Sequence, residues 1–398
     1  TKISSDATGL TIGNDVSTNT WAYASSNPYS IAGPIKIYAG TASVTQNMTS
    51  TGSGAGILIK TTGDITSSGG TSSVARVLRT NAGPITLWSD ADNSGAGAIN
   101  LADYTTINSA NGATTTTTAG GAITLAGGAD TNADGVPDGS ATGNSTGNTS
   151  GIMLGTVAYV ANSINVHSGT STITMRGQSA FGRGIYVTPG TNIVAGDEIM
   201  LQGSSSGTAN GYFHGLAISD APSPSTSGSI ISSKASGSAI TLIGSTSNTA
   251  VSQPAFGIVL NPNGGASFIA MLRATGGGDI NITGSSTVAG NLGVFLASAD
   301  ILAANGTINI DGGTGGVNLF NSVNIGYKTG GAITANTGAI NITGNTFTGV
   351  STAFVKTSGV ITVRPTTTTN IINLSASGTD ASGTCLLYTS DAADDLTR

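Results

Sequence analysis

The phrase GAINITG, Gly338 to Gly344, returns with small changes as GDINITG from Gly278 and GTINIDG from Gly306, and more loosely as SAITLIG from Ser238 and GGAITLAGG from Gly120. Its leading isoleucines fall at Ile173, Ile199, Ile240, Ile280, Ile308 and Ile340, with gaps of 26, 41, 40, 28 and 32 residues. Each phrase carries apolar residues two apart, such as Ile280 and Ile282 or Ile340 and Ile342, with Asn281, Asn341 or a threonine between. Alternation at period two marks a strand with one buried face, and the polar residues between are expected to point outward.

Further short apolar runs separate the phrases. GIYV at Gly184, FGIVL at Phe256, GVFLAS at Gly293 and AFVK at Ala353 read as a second set, and FIAML at Phe268 and ILAA at Ile301 as a third. About three strands of three to five residues per repeat, parted by Gly, Asn, Ser and Asp turns, are too short for a deep sandwich. They suit an all-β, right-handed parallel β-helix, a β-solenoid in which each coil lies on the one before and inward Ile, Val and Leu stack along the axis. Elastic gaps fit, because extra residues loop out at a corner while the strands above and below stay stacked. About a dozen coils at ~4.8 Å would make a rod of roughly 60 Å.

Composition agrees with a thin core. Charged residues make up 8% of the 398, aromatics 5% and hydrophobic residues 38%, and 60 are glycine. A single glutamate, Glu198, and no apolar period of 3.6 argue against helices. The net charge of −6, without a lysine or arginine cluster, gives no stripe for a phosphate backbone, so nucleic acid is not an expected partner. No apolar run approaches the ~20 residues that span a bilayer as a helix.

The repeat vocabulary extends to the start in GPIKIYAG from Gly33, GPITLWSD from Gly83 and GAINLAD from Gly97, so one solenoid region is expected over 1–384. Within it, 129–150 has no apolar alternation and reads as a projecting loop or a break between blocks. The run Thr114 to Thr118 reads as a polar loop. From Cys385 to Arg398 the composition changes abruptly, and Cys385 to Asp395 resembles the in-frame translation of a transposon-end adapter used in DNA sequencing libraries. That tail is read as read-through and excluded from the fold. Without it the chain has no cysteine, which suits a secreted bacterial protein. The sequence opens mid-pattern at Thr1, which is read as an internal start.

GPITLWSDADNSGAGAI, Gly83 to Ile99, and ITVRPTTTTNIINL, Ile361 to Leu374, carry the resemblance to known proteins most fully. Across Thr1 to Thr384 the pattern resembles the filamentous haemagglutinin-like adhesins and related autotransporter passengers of bacteria. That resemblance implies an internal fragment of a secreted or outer-membrane-associated surface protein. Its implied partners are a host or neighbouring-cell surface, carbohydrate or matrix protein, and it implies no enzymatic activity.

The sharpest local motif is DTNADGVPDG, Asp130 to Gly139. Asp130, Asn132 and Asp134 alternate ahead of Gly135, as at the start of a calcium loop, and Asp138 holds the ninth position, often used through water. The twelfth is Ala141 instead of a bidentate glutamate, so the loop is not a complete EF-hand. It looks like the aspartate-rich calcium loops of extracellular repeat proteins, with weak affinity expected at about 10⁻⁴ to 10⁻³ M. The plainer alternative is an acidic turn favouring Asn, Asp and Gly.

Other candidates are weaker. Polysaccharide-cleaving β-helices need clustered carboxylates near Lys or Arg, whereas here the only adjacent acids outside the tail, Asp197 and Glu198, read as a corner before Ile199. His167 and His214 lie in no metal or triad motif and are expected at the surface. Gly276 to Gly278 lacks the lysine and helix of a phosphate loop. The sequons at Asn281, Asn305 and Asn341 are expected by chance in such a composition. A second reading is a binding face, for ice on aligned Thr and Asn or for polysaccharide in a groove, with or without an enzymatic activity on it.

Overall fold

The computed structural model describes residues 4–15, 17–22, 28–69, 75–143, 149–155, 164–207, 213–218, 229–248, 254–260, 270–288, 290–326, 336–349 and 352–367. The tail from Cys385 to Arg398, Phe268 and the NIINL part of the last family-like passage lie outside these residues.

The chain winds through three parallel sheets in fixed rotation. A first sheet of thirteen strands runs from Leu10–Ile12 to Ile361–Arg364, a second of eleven from Thr20–Ala22 to Phe347–Gly349, and a third of eleven from Tyr29–Ile31 to Phe354–Val355. Strands pair in parallel with the equivalent strands one coil before and after, which is a parallel β-solenoid with three strands per coil. Among the described residues the only helical turn is a single 3₁₀ turn at Gly313–Gly315.

The recurring isoleucines are the register of the first sheet. Ile173 pairs with Ile199, Ile199 with Ile240, Ile240 with Ile280, Ile280 with Ile308 and Ile308 with Ile340. All six side chains are buried, as are Ile282, Ile310 and Ile342 two residues on, so one column of isoleucine runs up the core. Between Ile199 and Ile240 the longer spacing is taken up off the first sheet, and the strands Ile199–Ser205 and Ser238–Thr246 still pair residue for residue from Ile199 to Ser205. The gaps are elastic because the stacked backbone sets register, not chain length.

The glycines that close the phrases have a steric cause. Gly177, Gly203, Gly244 and Gly284 occupy one register column. Each lies against the glycine just ahead of a second-sheet strand: a methyl group on Gly203 would sit 2.1 Å from the carbonyl oxygen of Gly215, and one on Gly284 only 2.0 Å from that of Gly293. Two residues beyond, Ser179, Ser205, Thr246 and Ser286 form a buried hydroxyl column. Ser205 Oγ donates to the Gly182 carbonyl at 2.7 Å and Thr246 Oγ1 to that of Phe213 at 3.0 Å. These hydroxyls satisfy carbonyls at a corner where the sheets are too close for larger side chains.

Two sequence assignments change. AFVK, read with the second set, supplies Phe354–Val355 to the third sheet, beside Asn324–Ile325, and Phe347–Gly349 takes the second-sheet rung. GAINLAD uses the first-sheet vocabulary, yet Ile99–Leu101 belongs to the second sheet, between Ile65–Ser67 and Ile152–Leu154. Alternation separates inside from outside, and the order of strands within the coil decides the wall.

Candidate functional site

The loop bearing Asp130, Asn132, Asp134 and Asp138 interrupts a strand. Ile123–Gly127 pairs with Ile173–Met175, and Ala141–Gly143 pairs with Gly177–Ser179 on the same neighbouring strand. The chain leaves the first sheet after Gly127 and rejoins it at Ala141, with Gly127 and Gly139 closing the base as an antiparallel bridge. Between those two points, residues 128–140 stand off the first sheet. Residues 144–148 lie outside the described residues.

The base is tied to its neighbours. Trp88 Nε1 donates to the Gly128 carbonyl at 2.8 Å, Arg176 Nη1 to that of Pro137 at 3.2 Å, and Thr142 Oγ1 to Asp90 Oδ2 at 3.0 Å. Asp90 is buried at positive φ and its Oδ1 accepts from the Gly95 and Ala96 amides, so a second acidic turn is stacked beside the first.

Within the loop the four predicted residues turn toward one another. Asp130 accepts from the Asp134 and Gly135 amides at 3.2 and 2.8 Å, Asn132 Oδ1 from the Asp134 amide at 3.0 Å, and Asp134 Oδ1 from the Val136 amide at 2.9 Å. Asn132 Nδ2 lies 3.2 Å from Asp134 Oδ2 and 3.4 Å from Asp138 Oδ1, between the two carboxylates. Asp138 Oδ2 accepts from the Thr131 hydroxyl and amide, which holds its carboxyl below the usual range. These residues are solvent-facing, and Gly135, at φ 84°, makes the sharp turn. Among the described residues no group of three or more His, Cys, Asp or Glu side chains is arranged to hold a metal ion.

Asp197 and Glu198 form the turn ahead of Ile199, as expected of a corner, and both face one cation. Lys234 Nζ lies 2.8 Å from Asp197 and 3.9 Å from Glu198. The hydrogen bond from Lys234 lowers the Asp197 pKa, and the same bond raises that of Lys234. Thr241 Oγ1 donates to Glu198 at 2.8 Å.

The histidines are not at the surface. His214 is 1% exposed; its ring stacks on Phe256 at 5.4 Å and its Nδ1 accepts the Phe256 amide at 3.2 Å. Burial lowers its pKa to about 3, with the positive charge of Arg183 adding to the effect. Phe256 continues the stack to Phe295 at 4.9 Å, and Phe295 to Phe320 at 6.0 Å. Tyr186, Ala217, Val259 and Phe256 form a second small core on the outer side of the second sheet. His167 is also buried, and its pKa is lowered by burial; its Nδ1 accepts the Gly169 amide at 3.2 Å. The Thr114–Thr118 segment lies nearby, where the Thr118 carbonyl accepts the Thr170 amide. His167 follows Ile164 and Val166 at an outward position of its strand and His214 lies outside any strand, so alternation held no signal for their burial.

No helix among the described residues is long and apolar enough to cross a membrane. No protein-family description, curated protein or solved structure matches this chain.

Proposed function

We propose that the chain is a structural and adhesive shaft of a large secreted bacterial surface protein, whose lateral loops attach to a cell, matrix protein or carbohydrate. The observation that supports this reading best is the first sheet, in which twelve successive rungs share one inward apolar column, buried in all but the first and last, while the Asp130–Asp138 loop projects from the side. A rod of this kind resists bending through axial hydrogen bonds and offers many weak contact points, which multivalent attachment uses. The shaft itself performs no chemistry in this proposal.

The loop is proposed to take calcium weakly. Asp130, Asn132 and Asp134 have their oxygens oriented by backbone amides, and Asp134 and Asp138 flank one point, now held by the Asn132 amide. A cation there would replace that amide contact.

The purified chain on arrays of glycans and matrix proteins tests the adhesive reading, with polysaccharide depolymerisation and thermal hysteresis measured alongside. Binding without either activity is expected. Release of reducing ends, or ice-growth inhibition, would move the binding-face reading ahead. An ice face has less support: the outward first-sheet column runs Thr86, Thr124, Thr174, Met200, Thr241, Asn281, so its threonine array is interrupted.

A further inference from the structure

A second glycine column stands at the corner where the chain passes from the third sheet to the first. Gly278, Gly306, Gly338 and Gly359 each lie two residues ahead of an isoleucine of the buried register, Ile280, Ile308, Ile340 and Ile361. A methyl group on Gly306 would sit 2.1 Å from the Gly278 carbonyl oxygen, and one on Gly338 would sit 2.2 Å from that of Gly306. Stacking therefore demands glycine here. It does not fix the residue ahead, which is Gly277, Asn305, Thr337 and Ser358 in turn.

Three of these glycine amides are held. Gly278 donates to the Lys234 carbonyl at 3.0 Å, Gly338 to Asn336 Oδ1 at 3.4 Å and Gly359 to Thr357 Oγ1 at 3.0 Å. In the last two the acceptor is the side chain two residues back, and ahead of Gly306 that position is Ala304, which has no acceptor to offer. Among the described residues nothing accepts the Gly306 amide. Asn305 beside it is exposed, and its Oδ1 accepts the Thr337 hydroxyl at 3.0 Å, a bond that draws electron density away from Cγ. The other Asn-Gly pair among the described residues is closed: Gly112 donates to Asn108 Oδ1 at 2.8 Å, and Asn111 is held at φ 53°. The Asp-Gly turns at Asp134 and Asp311 are closed too, their glycine amides donating to Asp130 Oδ2 and the Thr343 carbonyl, each at 2.8 Å.

We propose that Asn305 is a site of spontaneous deamidation, where the folded chain converts an asparagine to aspartate and isoaspartate. The Gly306 amide nitrogen gives its proton to solvent base and attacks Asn305 Cγ; the Cγ–Nδ2 bond breaks, and ammonia leaves with a proton from water, closing a succinimide. Water then opens the ring. Cleavage at Cγ gives aspartate, cleavage at the backbone carbonyl gives isoaspartate, and nothing is oxidised or reduced. Glycine permits the attack because no side chain crowds its nitrogen. Either product places a negative charge beside Thr337, and isoaspartate adds a methylene to the main chain just ahead of the strand Ile308–Asp311. This rests on the fold and not on the adhesive reading.

The full chain, kept folded at mildly alkaline pH and sampled over days, is digested and its peptides mapped by mass spectrometry, with isoaspartate scored by methyltransferase labelling. Asn305 should convert about three- to ten-fold faster than Asn111, the factor set by one net hydrogen bond that must break before Gly112 can attack. In denaturant the two pairs should convert at the same rate, so the difference belongs to the fold. Asn305→Gln should stop conversion at that position, since the ring it would need is larger. Ala304→Thr, which supplies the acceptor found ahead of Gly359, should slow Asn305 by a similar factor. Conversion at Asn111 as fast as at Asn305 in the folded chain overturns the proposal. So does an Asn305 amide that persists while the denatured chain converts, or an unchanged rate in Ala304→Thr once hydrogen exchange shows its Gly306 amide protected.

Discussion

The side-chain amide of Asn341 donates to Oδ1 of Asn309 at 2.8 Å, and Asn309 repeats the same bond to Asn281 one coil below, also at 2.8 Å. Asn281 in turn reaches Ser238 Oγ at 3.1 Å. The carboxamide suits this column because it donates along the axis in one direction and accepts from the other, as the backbone does. Asn309→Ala removes two bonds from a half-buried column and should cost about 1–2 kcal/mol. Asn309→Asp keeps the acceptor for Asn341 but faces Asn281 Oδ1 without a donor. Because coils unfold semi-independently, the comparison belongs in native-state hydrogen exchange of the strands Ile280 to Ile342, where both variants should exchange faster and Asp the more so at neutral pH.

Gly244 lies where the first and second sheets approach closely, and a methyl group there would lie 2.1 Å from the Gly257 carbonyl oxygen. The nearest atoms are the Gly257 carbonyl group and the Ile258 side chain, and the backbone carbonyl cannot yield. Gly244→Ala should destabilise the chain by about 2–4 kcal/mol and be read as a lower melting midpoint. Gly54, at φ 75° with open space around it, isolates the other cost of adding a side chain. Gly54→Ala should cost only about 1–2 kcal/mol. Equal losses at the two sites would contradict the steric account of the phrase's closing glycine.

Burial depresses the His214 pKa from 6.5 to about 3, so the folded chain binds fewer protons there than the unfolded one. The contribution of neutral His214 is complete above about pH 6.5 and is lost progressively as pH falls toward 3. Chemical-shift titration should find the His214 ring unprotonated throughout pH 5–8. His214→Phe, which can extend the stack on Phe256, should flatten the decline in stability between about pH 6 and 4. A ring that titrates near 6.5 in the folded protein would refute its burial.

For the Asp130–Asp138 loop, isothermal titration with calcium chloride should give a single site at about 10⁻⁴–10⁻³ M. Asp134→Ala should abolish it, since Asp134 both presents Oδ2 and caps the Val136 amide. The Asp138 carboxyl is held low by Thr131, so Thr131→Ala should raise its pKa and shift the acid loss of calcium to higher pH. Magnesium at the same concentration should bind more weakly, because it dehydrates reluctantly and demands tighter octahedral geometry. No heat and no protection from proteolysis at ~10 mM calcium would leave the loop a purely structural turn.

Much of the architecture was legible because its cause is local. Period-two isoleucine names the inward residues of a strand, and Gly and Asn between the runs name the corners; both follow from backbone sterics within a few residues. Hence the column from Ile173 to Ile340 could be read without coordinates. The site was legible only as a motif. DTNADGVPD identified the four residues that the loop turns together, but nothing local showed that the loop splits a strand, with Ile123–Gly127 and Ala141–Gly143 resting on one neighbour.

By itself, then, the sequence determined that this chain coils, which residues face its axis, and where an acidic loop leaves it. Tertiary structure alone decided which of the three walls each strand joins, as Ile99–Leu101 and Phe354–Val355 show. It also decided that His167 and His214 would be buried. The physical reason is range. Alternation distinguishes two faces through contacts within a strand, whereas wall choice and the covering of an outer face depend on coils and loops tens of residues away, whose packing leaves no period in the sequence.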